Sequence, residues 1–216
     1  MLIFKIKNIN KKKLDWRDIF MQETTLDKIK QISINLFNEK SYEGTSLKDI
    51  FNLIGISAPS FYYYYSSKKD LYIELIKDAE ELHRKAFMEV LEKSKAKSSK
   101  QQLEALIKQY WVFKAENPDV ANFLARNALF PPFEFREEIW AMLKEQYIKY
   151  HEFVQEIVTY VMKTNEINQV VSVDYIVKMF FQKINESYIN VSAPTKDSLE
   201  NKVNFSLQVL FDGIGA

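Results

Sequence analysis

The sequence predicts an all-α protein, and three observations predict it. The 216 residues include only four glycines and five prolines, while Leu, Ile, Lys and Glu are abundant. Apolar residues recur at alternating three- and four-residue spacing over most of the chain, the rhythm of one helix face. Residues 45–71, TSLKDIFNLIGISAPSFYYYYSSKKDL, read as two short helices joined by a tight turn and followed by the start of a third.

Taken in order, residues 1–20 hold six Lys/Arg and two acids, interleaved with Leu2, Phe4, Ile6, Trp16, Ile19 and Phe20. They read as a basic arm that follows DNA, as an extension packed on the domain, or as sequence upstream of a true start at Met21. A first helix is expected over about residues 24–40, with Leu26, Ile29, Ile32, Leu36 and Phe37 inward. Tyr42 and Gly44 turn the chain. Ser46 with Asp49 three residues on forms a capping box for the second helix, whose apolar residues are Leu47, Ile50, Phe51 and Ile54. Gly55 suits the left-handed position that ends it. Ser57 caps the third helix, and Pro59 falls in its first turn, where a missing N–H costs nothing. A fourth helix is expected from near Ser67 towards Leu91, with a possible break, and residues 93–100 (KSKAKSSK) form a polar connector.

Beyond it, helices are expected over about 101–116, 117–130 (capped by Asn117), 133–163, 173–191 and 196–211. Pro131-Pro132, residues 164–172 and Pro194 separate them. The long stretch 133–163 keeps Ile139, Leu143, Tyr147, Tyr150, Val154, Ile157 and Val161 on one face.

The short helix, glycine turn and second helix make a helix-turn-helix, whose second helix can enter the DNA major groove. Residues Leu36-Phe37, Tyr42, Thr45-Ser46, Asp49-Ile50, Gly55-Ile56-Ser57, Phe61-Tyr62, Tyr64-Tyr65, Ser67-Lys68 and Leu71 carry a further resemblance. From Thr25 to about Ile76 the chain resembles the DNA-binding domain of the tetracycline-repressor (TetR) family. The remainder is similar only in size and helicity. The resemblance implies three parts: a basic extension at 1–22, a helix-turn-helix domain at 23–70, and a ligand-binding and dimerisation domain at 71–216.

It also implies site residues. Thr45, Tyr62, Tyr63 and Lys68 are expected phosphate contacts, which set register and affinity rather than read bases. Ser57, Ala58, Pro59 and Ser60 form the first turn of the recognition helix. The family often carries Lys or Arg then Gly where this chain has Ala58 and Pro59, so base reading falls to Ser57, Ser60, Tyr63 and apolar contact of Ala58 with thymine methyls. An AT-rich operator is expected. Helical geometry cannot expose the whole tyrosine run on one face. Phe61 and Tyr65 are expected inward, Tyr62 and Tyr63 outward, and Tyr64 at the edge.

An effector pocket is expected among Trp111, Phe123, Arg126, Asn127, Phe130, Trp140, Tyr147 and His151. Ordinary core packing accounts for most of these aromatics, and Arg126 suits either an anionic effector or an ion pair with Glu116 or Glu134. Phe180, Phe181, Tyr188, Phe205 and Val209 are the expected dimer contacts, with Phe181 and Phe205 as outward anchors.

The expected function is a ligand-responsive transcriptional regulator, most often a repressor in this family. It would bind an inverted repeat of double-stranded DNA as a homodimer and respond to an apolar or amphipathic small molecule. The alternative is an adaptor that has lost operator reading and works through a protein partner. No cofactor and no metal are expected: the chain has no cysteine, and His83 and His151 lie far apart without acidic ligands at metal spacing. No nucleophile motif, phosphate loop or dinucleotide fingerprint occurs, so an enzyme is not expected. No apolar run is long enough for a bilayer and no signal-peptide pattern opens the chain, so a cytoplasmic protein with no membrane partner is expected. Residues 1–71 carry 12 Lys/Arg against 8 Asp/Glu, and residues 72–216 carry 18 against 21, placing the basic excess with the helix-turn-helix half.

Overall fold

The computed structural model describes residues 24–163, 172–189, 200–206 and 208, with only the helical backbone of 183–189. The described residues contain no strand. The helices are α1 (Thr25–Gly44), α2 (Leu47–Ile54), α3 (Ala58–Tyr62), α4 (Lys68–Ser94), α5 (Ser99–Glu116), α6 (Pro118–Leu129), α7 (Arg136–Lys163) and α8 (Val173–Ile189). Residues 200–206 are also helical.

Local chemistry starts most of them. Thr24 with Asp27, Ser46 with Asp49, and Ser98 with Gln101 form reciprocal capping boxes. Ser57 and Ser67 cap α3 and α4 through the amides of Ser60 and Asp70. Each such cap contributes about 1 kcal/mol. Gly55 ends α2 at φ 78°, a left-handed conformation that costs glycine nothing.

Several boundaries differ from the sequence reading. α1 runs to Gly44, but it breaks at Ser41, a non-glycine residue at φ 66°. α4 is continuous over 27 residues, because Leu71, Leu75, Ile76, Ala79 and Leu91 find apolar partners along its whole length. Phe133–Phe135 form a 3-10 turn, so α7 begins at Arg136. Asn117 does not cap α6. Its amide instead donates to the Phe113 carbonyl at 3.2 Å, closing the end of α5.

The apolar core falls into two clusters. The first joins α1–α4 to α6 and the start of α7 and centres on Phe37, Phe61, Tyr72, Phe123 and Ile139, none more than 1% exposed. It crosses residue 70, so α4 shares its core with the helix-turn-helix. The second cluster packs α5, α7 and α8 around Leu103, Trp111, Val154, Val158 and Phe180. Truncating a ring such as Phe37 to alanine would cost about 3–5 kcal/mol through lost burial and the cavity left behind.

Phe180 and Phe181 were expected at a dimer face and instead face inward. Phe180 is fully buried in the second cluster, and Phe181 lies parallel to the His151 ring at 5.7 Å and beside Tyr147 at 5.1 Å. α7 and α8 pack against each other, which turns the face of α8 carrying Phe181 into the chain's own core. Phe205 is 60% exposed. Tyr188 and Val209 lie outside the described side chains.

Candidate functional site

The exposed face of the helix-turn-helix is built by its own core. Phe61 and Tyr65 are buried at 0% and 4% exposure and fix the rotation of α3 and the turn after it. That rotation pushes Tyr62, Tyr63 and Tyr64 outward, at 54%, 82% and 39%. Phe61 packs against Phe51 and Tyr62, and Tyr63 meets Tyr64 edge to face at 5.0 Å. Pro59 and Ser60 are exposed, Ala58 is half-buried, and the Ser57 and Ser60 hydroxyls share a hydrogen bond at 3.0 Å.

Two expected phosphate contacts are occupied inside the protein. Thr45 is 1% exposed, and its hydroxyl donates to the carbonyls of Ser41 at 2.7 Å and Leu36 at 3.2 Å. The chain leaves helical geometry at Ser41, and buried carbonyls there require partners. Lys68 is committed to the same junction. Its ammonium donates to the carbonyls of Tyr42 at 2.7 Å and Thr45 at 2.8 Å, and lies 4.0 Å from the Tyr42 ring centre. Burial lowers its pKa, with the nearby carboxylates of Glu43 and Glu134 opposing. Nothing in the sequence marks the kink, so both side chains looked free for DNA.

The charge distribution also differs from the half-chain count. Residues 1–20 hold six Lys/Arg and two Asp/Glu, the same +4 excess as the whole of 1–71. The basic excess therefore belongs to the segment before the described residues. Within the domain, Lys30 bridges Glu74 at 2.7 Å and Asp78 at 2.6 Å, and Lys69 bridges Glu138 at 2.8 Å. Lys40 and Lys48 are exposed.

The helix-turn-helix is tied to the rest of the fold at several further places. Tyr65 donates to Glu74 of α4 at 3.1 Å, and Glu74 continues through Lys30 to Asp78. Burial lowers the Lys30 pKa, but the bonds to Asp78 and Glu74 outweigh it and the net shift is upward. The Asn38 amide donates to the Asp119 carbonyl at 2.9 Å, joining α1 to α6. Tyr42 meets Phe135 edge to face at 4.9 Å, which sets the start of α7 against α1.

The expected pocket residues do not converge. Phe123 and Asn127 are fully buried in the first cluster and Trp111 is buried in the second. Phe130 is 76% exposed at the end of α6, while Trp140 and Tyr147 are 40% and 46% exposed on α7. Arg126 is half-buried on α6, and His151 is half-buried against α8. Aromatic content had marked them, but aromatic content does not tell which face a neighbouring helix covers.

Among the hollows that lie elsewhere are two that touch α4. A small cavity of about 40 Å³ between α4, α5, α7 and α8 is lined by His83, Phe87, Gln109, Tyr110, Phe113 and Tyr150, among others. Burial holds the His83 imidazole down at about 4, so it is neutral, and its ring meets Phe113 at 5.1 Å and Tyr150 at 5.6 Å. His83 continues the Ile76–Ala79 stripe of α4, a spacing that could have found it. An open cleft of about 230 Å³ separates α1 from α4 and is lined by Lys30, Ile34, Leu75, Asp78, Ala79 and Val120, among others. No described helix is long and apolar enough to cross a membrane, and the described residues hold no cluster of three or more His, Cys, Asp or Glu suited to a metal.

Residues 33–75, which span the helix-turn-helix, match the family described as bacterial regulatory proteins, tetR family. Over 51 residues the chain is 45% identical to IcaR of Staphylococcus aureus, an HTH-type negative transcriptional regulator of the biofilm operon icaADBC. That match spans 24% of this chain and 27% of the relative's length. The HTH-type transcriptional regulator YezE of Bacillus subtilis is 42% identical over 60 residues, 28% of this chain and 31% of its own. Similar folds extend much further. The transcriptional regulator FadR from Bacillus subtilis, in complex with stearoyl-CoA, superposes with a TM-score of 0.66 at 22% identity, over 88% of this chain and 99% of that one. AibR, in complex with isovaleryl coenzyme A and operator DNA, superposes with a TM-score of 0.72 at 16% identity, over 87% and 98%. At these identities the likeness is one of fold. Helix-turn-helix geometry and the matching residues agree that residues 33–75 are similar to the DNA-binding region of the tetR family of bacterial regulatory proteins, while over the rest of the chain the likeness is one of fold.

Proposed function

We propose that this protein is a ligand-responsive transcriptional regulator that binds an inverted-repeat operator as a homodimer and acts as a repressor. The observation that carries this reading is the continuity of α4. It begins just after the recognition helix, is bonded to the turn that ends that helix through Tyr65 and Glu74, and contributes His83 and Phe87 to the cavity some turns later. One rigid element therefore touches both the DNA-facing surface and the hollow.

At about 40 Å³ the cavity has room for no more than about three water molecules. An effector enters only by parting α4 from α5 and α7, so its binding energy goes directly into moving α4. In a dimer, tilting α4 changes the spacing of the two recognition helices, which must sit about 34 Å apart to engage successive major grooves. The lining is mostly aromatic, with His83 and Gln109 as polar groups, and it suits an amphipathic effector. The acyl-coenzyme A molecules bound by two proteins of similar fold make acyl-CoA thioesters the first class to try.

Dimerisation rests on the two-fold symmetry of inverted repeats and on exposed apolar residues near the C-terminal end, Tyr175 at 52% and Phe205 at 60%. The test is fluorescence anisotropy with duplexes from upstream of the protein's own gene, with and without acyl-CoA thioesters of graded length. Saturable binding that Tyr63→Ala abolishes, and that a thioester releases, is expected. Absence of binding to every fragment would favour an adaptor that works through a protein partner. Sedimentation at micromolar concentration is expected to give a dimer, and a monomer would remove the lever argument.

A further inference from the structure

The proposed DNA-facing surface carries no charge on any side chain of the recognition helix or of the turns that flank it. From Ile50 to Ser67 the sequence contains no Lys, Arg, His, Asp or Glu. The flanking charges are also spoken for. Asp49 is bonded to the Ser46 hydroxyl and amide, and Lys68 to two carbonyls of its own chain.

Each base pair asks for a particular partner in the major groove. Guanine is read most often by Arg or Lys across O6 and N7, and cytosine by a carboxylate accepting from N4. This surface has neither. What it offers is aliphatic and aromatic: Pro59 exposed, the Ala58 methyl half-buried, and the Tyr63 ring 82% exposed. Those groups suit the thymine methyl, the one apolar feature of the major groove. The polar groups are weak selectors. A hydroxyl donates one proton, and those of Ser57 and Ser60 already share one between them. Asn52, exposed on α2, is the one side-chain amide between Ile50 and Ser67, and an amide pairs best with adenine.

We propose that the recognition surface selects A·T-rich half-sites through thymine methyl groups, with no guanine read by a charged side chain of the recognition helix. This rests on the DNA-binding reading above and goes beyond it by naming the class of sequence bound. Groove shape reinforces the choice, because A-tracts narrow the minor groove and attract the kind of basic side chains that residues 1–20 contain.

The experiment is selection of the full-length protein on a random duplex pool at fixed salt, followed by substitution of the winning sites. Half-sites dominated by A·T pairs are expected. Replacing contacted dT by dU removes the methyl and keeps base pairing, and it should weaken binding about fourfold per contacted methyl. Ser60→Arg should introduce a guanine preference at one position of each half-site. Enrichment of half-sites with an invariant guanine, or indifference to dU, would overturn the inference while leaving DNA binding intact. A Ser60→Arg variant with unchanged preference would show that this turn does not face bases and would overturn it too. No enrichment of any sequence would remove the DNA-binding reading itself.

Discussion

Tyr72 of α4 donates its phenolic proton to the Oδ1 of Asn127 on α6 at 2.8 Å, with both residues buried. Asn127 in turn donates to the Phe123 carbonyl at 2.8 Å, and the Tyr72 ring lies edge-on to Phe37 of α1 at 4.7 Å. One tyrosine thus touches α1 and α6 from α4. Burial raises the phenol pKa, with the Asn127 bond and the Arg126 charge opposing, so the hydroxyl keeps its proton and remains a donor.

Removing that donor leaves a buried amide oxygen without its partner. Tyr72→Phe should destabilise the protein by about 1–3 kcal/mol, the cost of an unsatisfied buried polar group. Asn127→Ala should cost a similar amount. The double variant should cost clearly less than the sum, because the two changes delete one interaction. Urea denaturation of the four proteins measures this, and strict additivity would show that the bond contributes nothing.

Lys68 and Thr45 give a second prediction. Both hold the junction left open by the break at Ser41, so their loss should be felt without DNA. Lys68→Ala should lower stability by about 1.5–3 kcal/mol, as expected for charge-assisted bonds. Thr45→Val, which keeps the shape and removes the hydroxyl, should cost about 1–3 kcal/mol. Free proteins compared by denaturation decide the matter. A Lys68→Ala variant of unchanged stability that binds DNA less well would return Lys68 to the role of a phosphate contact.

What the sequence made legible was local. The boxes at Ser46–Asp49 and the cap at Ser57 need only residues within one turn, as does the left-handed end at Gly55, and each appears where the residue types placed it. The inward turn of Phe61 and Tyr65 was also legible, since four consecutive helical residues cannot share a face. The failures are non-local. Phe181 and Phe130 are both phenylalanines in or beside helices, yet one is sealed by Tyr147 and His151 while the other is left in solvent. Only the packing of α7 on α8 decides the first, and only the turn after α6 decides the second. Thr45 and Lys68 bond to carbonyls of their own chain around the kink at Ser41, which no residue type in the sequence marks.

Glu80 and His83 on α4 should give the stability curve two opposing limbs. Burial raises the Glu80 carboxyl to about 7 and lowers the His83 imidazole to about 4. For Glu80 the folded state holds its proton more tightly than the unfolded state, so its contribution is full below about 4.5 and is lost as pH rises to about 7. For His83 the unfolded state binds protons more tightly, so stability is full above about 6.5 and falls as pH drops to about 4. Glu80→Gln should flatten the first limb and raise stability at pH 8 relative to wild type by about 1–3 kcal/mol. His83→Gln should flatten the second. Denaturation midpoints between pH 4 and 8 test both, and parallel curves for wild type and variants would refute the assignment.

The final prediction concerns salt. Phosphate neutralisation releases counterions, so the logarithm of affinity falls against the logarithm of salt with a slope of about −0.9 per phosphate neutralised. Within the helix-turn-helix domain Lys30, Lys68 and Lys69 are held by partners inside the protein, and Lys28, Lys40 and Lys48 are exposed, the last two on either side of the junction between α1 and α2. With those two in contact on each protomer, a dimer of residues 21–216 should show a slope of about −4. The full chain adds Lys5, Lys7, Lys11, Lys12, Lys13 and Arg17. Its slope should be steeper by about 0.9 for each of these that meets a phosphate. Both forms should retain the same preferred bases, because phosphate contacts position a protein on the duplex and do not read it. Anisotropy titrations of the two chains on one duplex, at graded potassium chloride concentrations, measure the difference. Equal slopes would show that residues 1–20 take no part in DNA binding and that the basic excess of the N-terminal half serves another purpose.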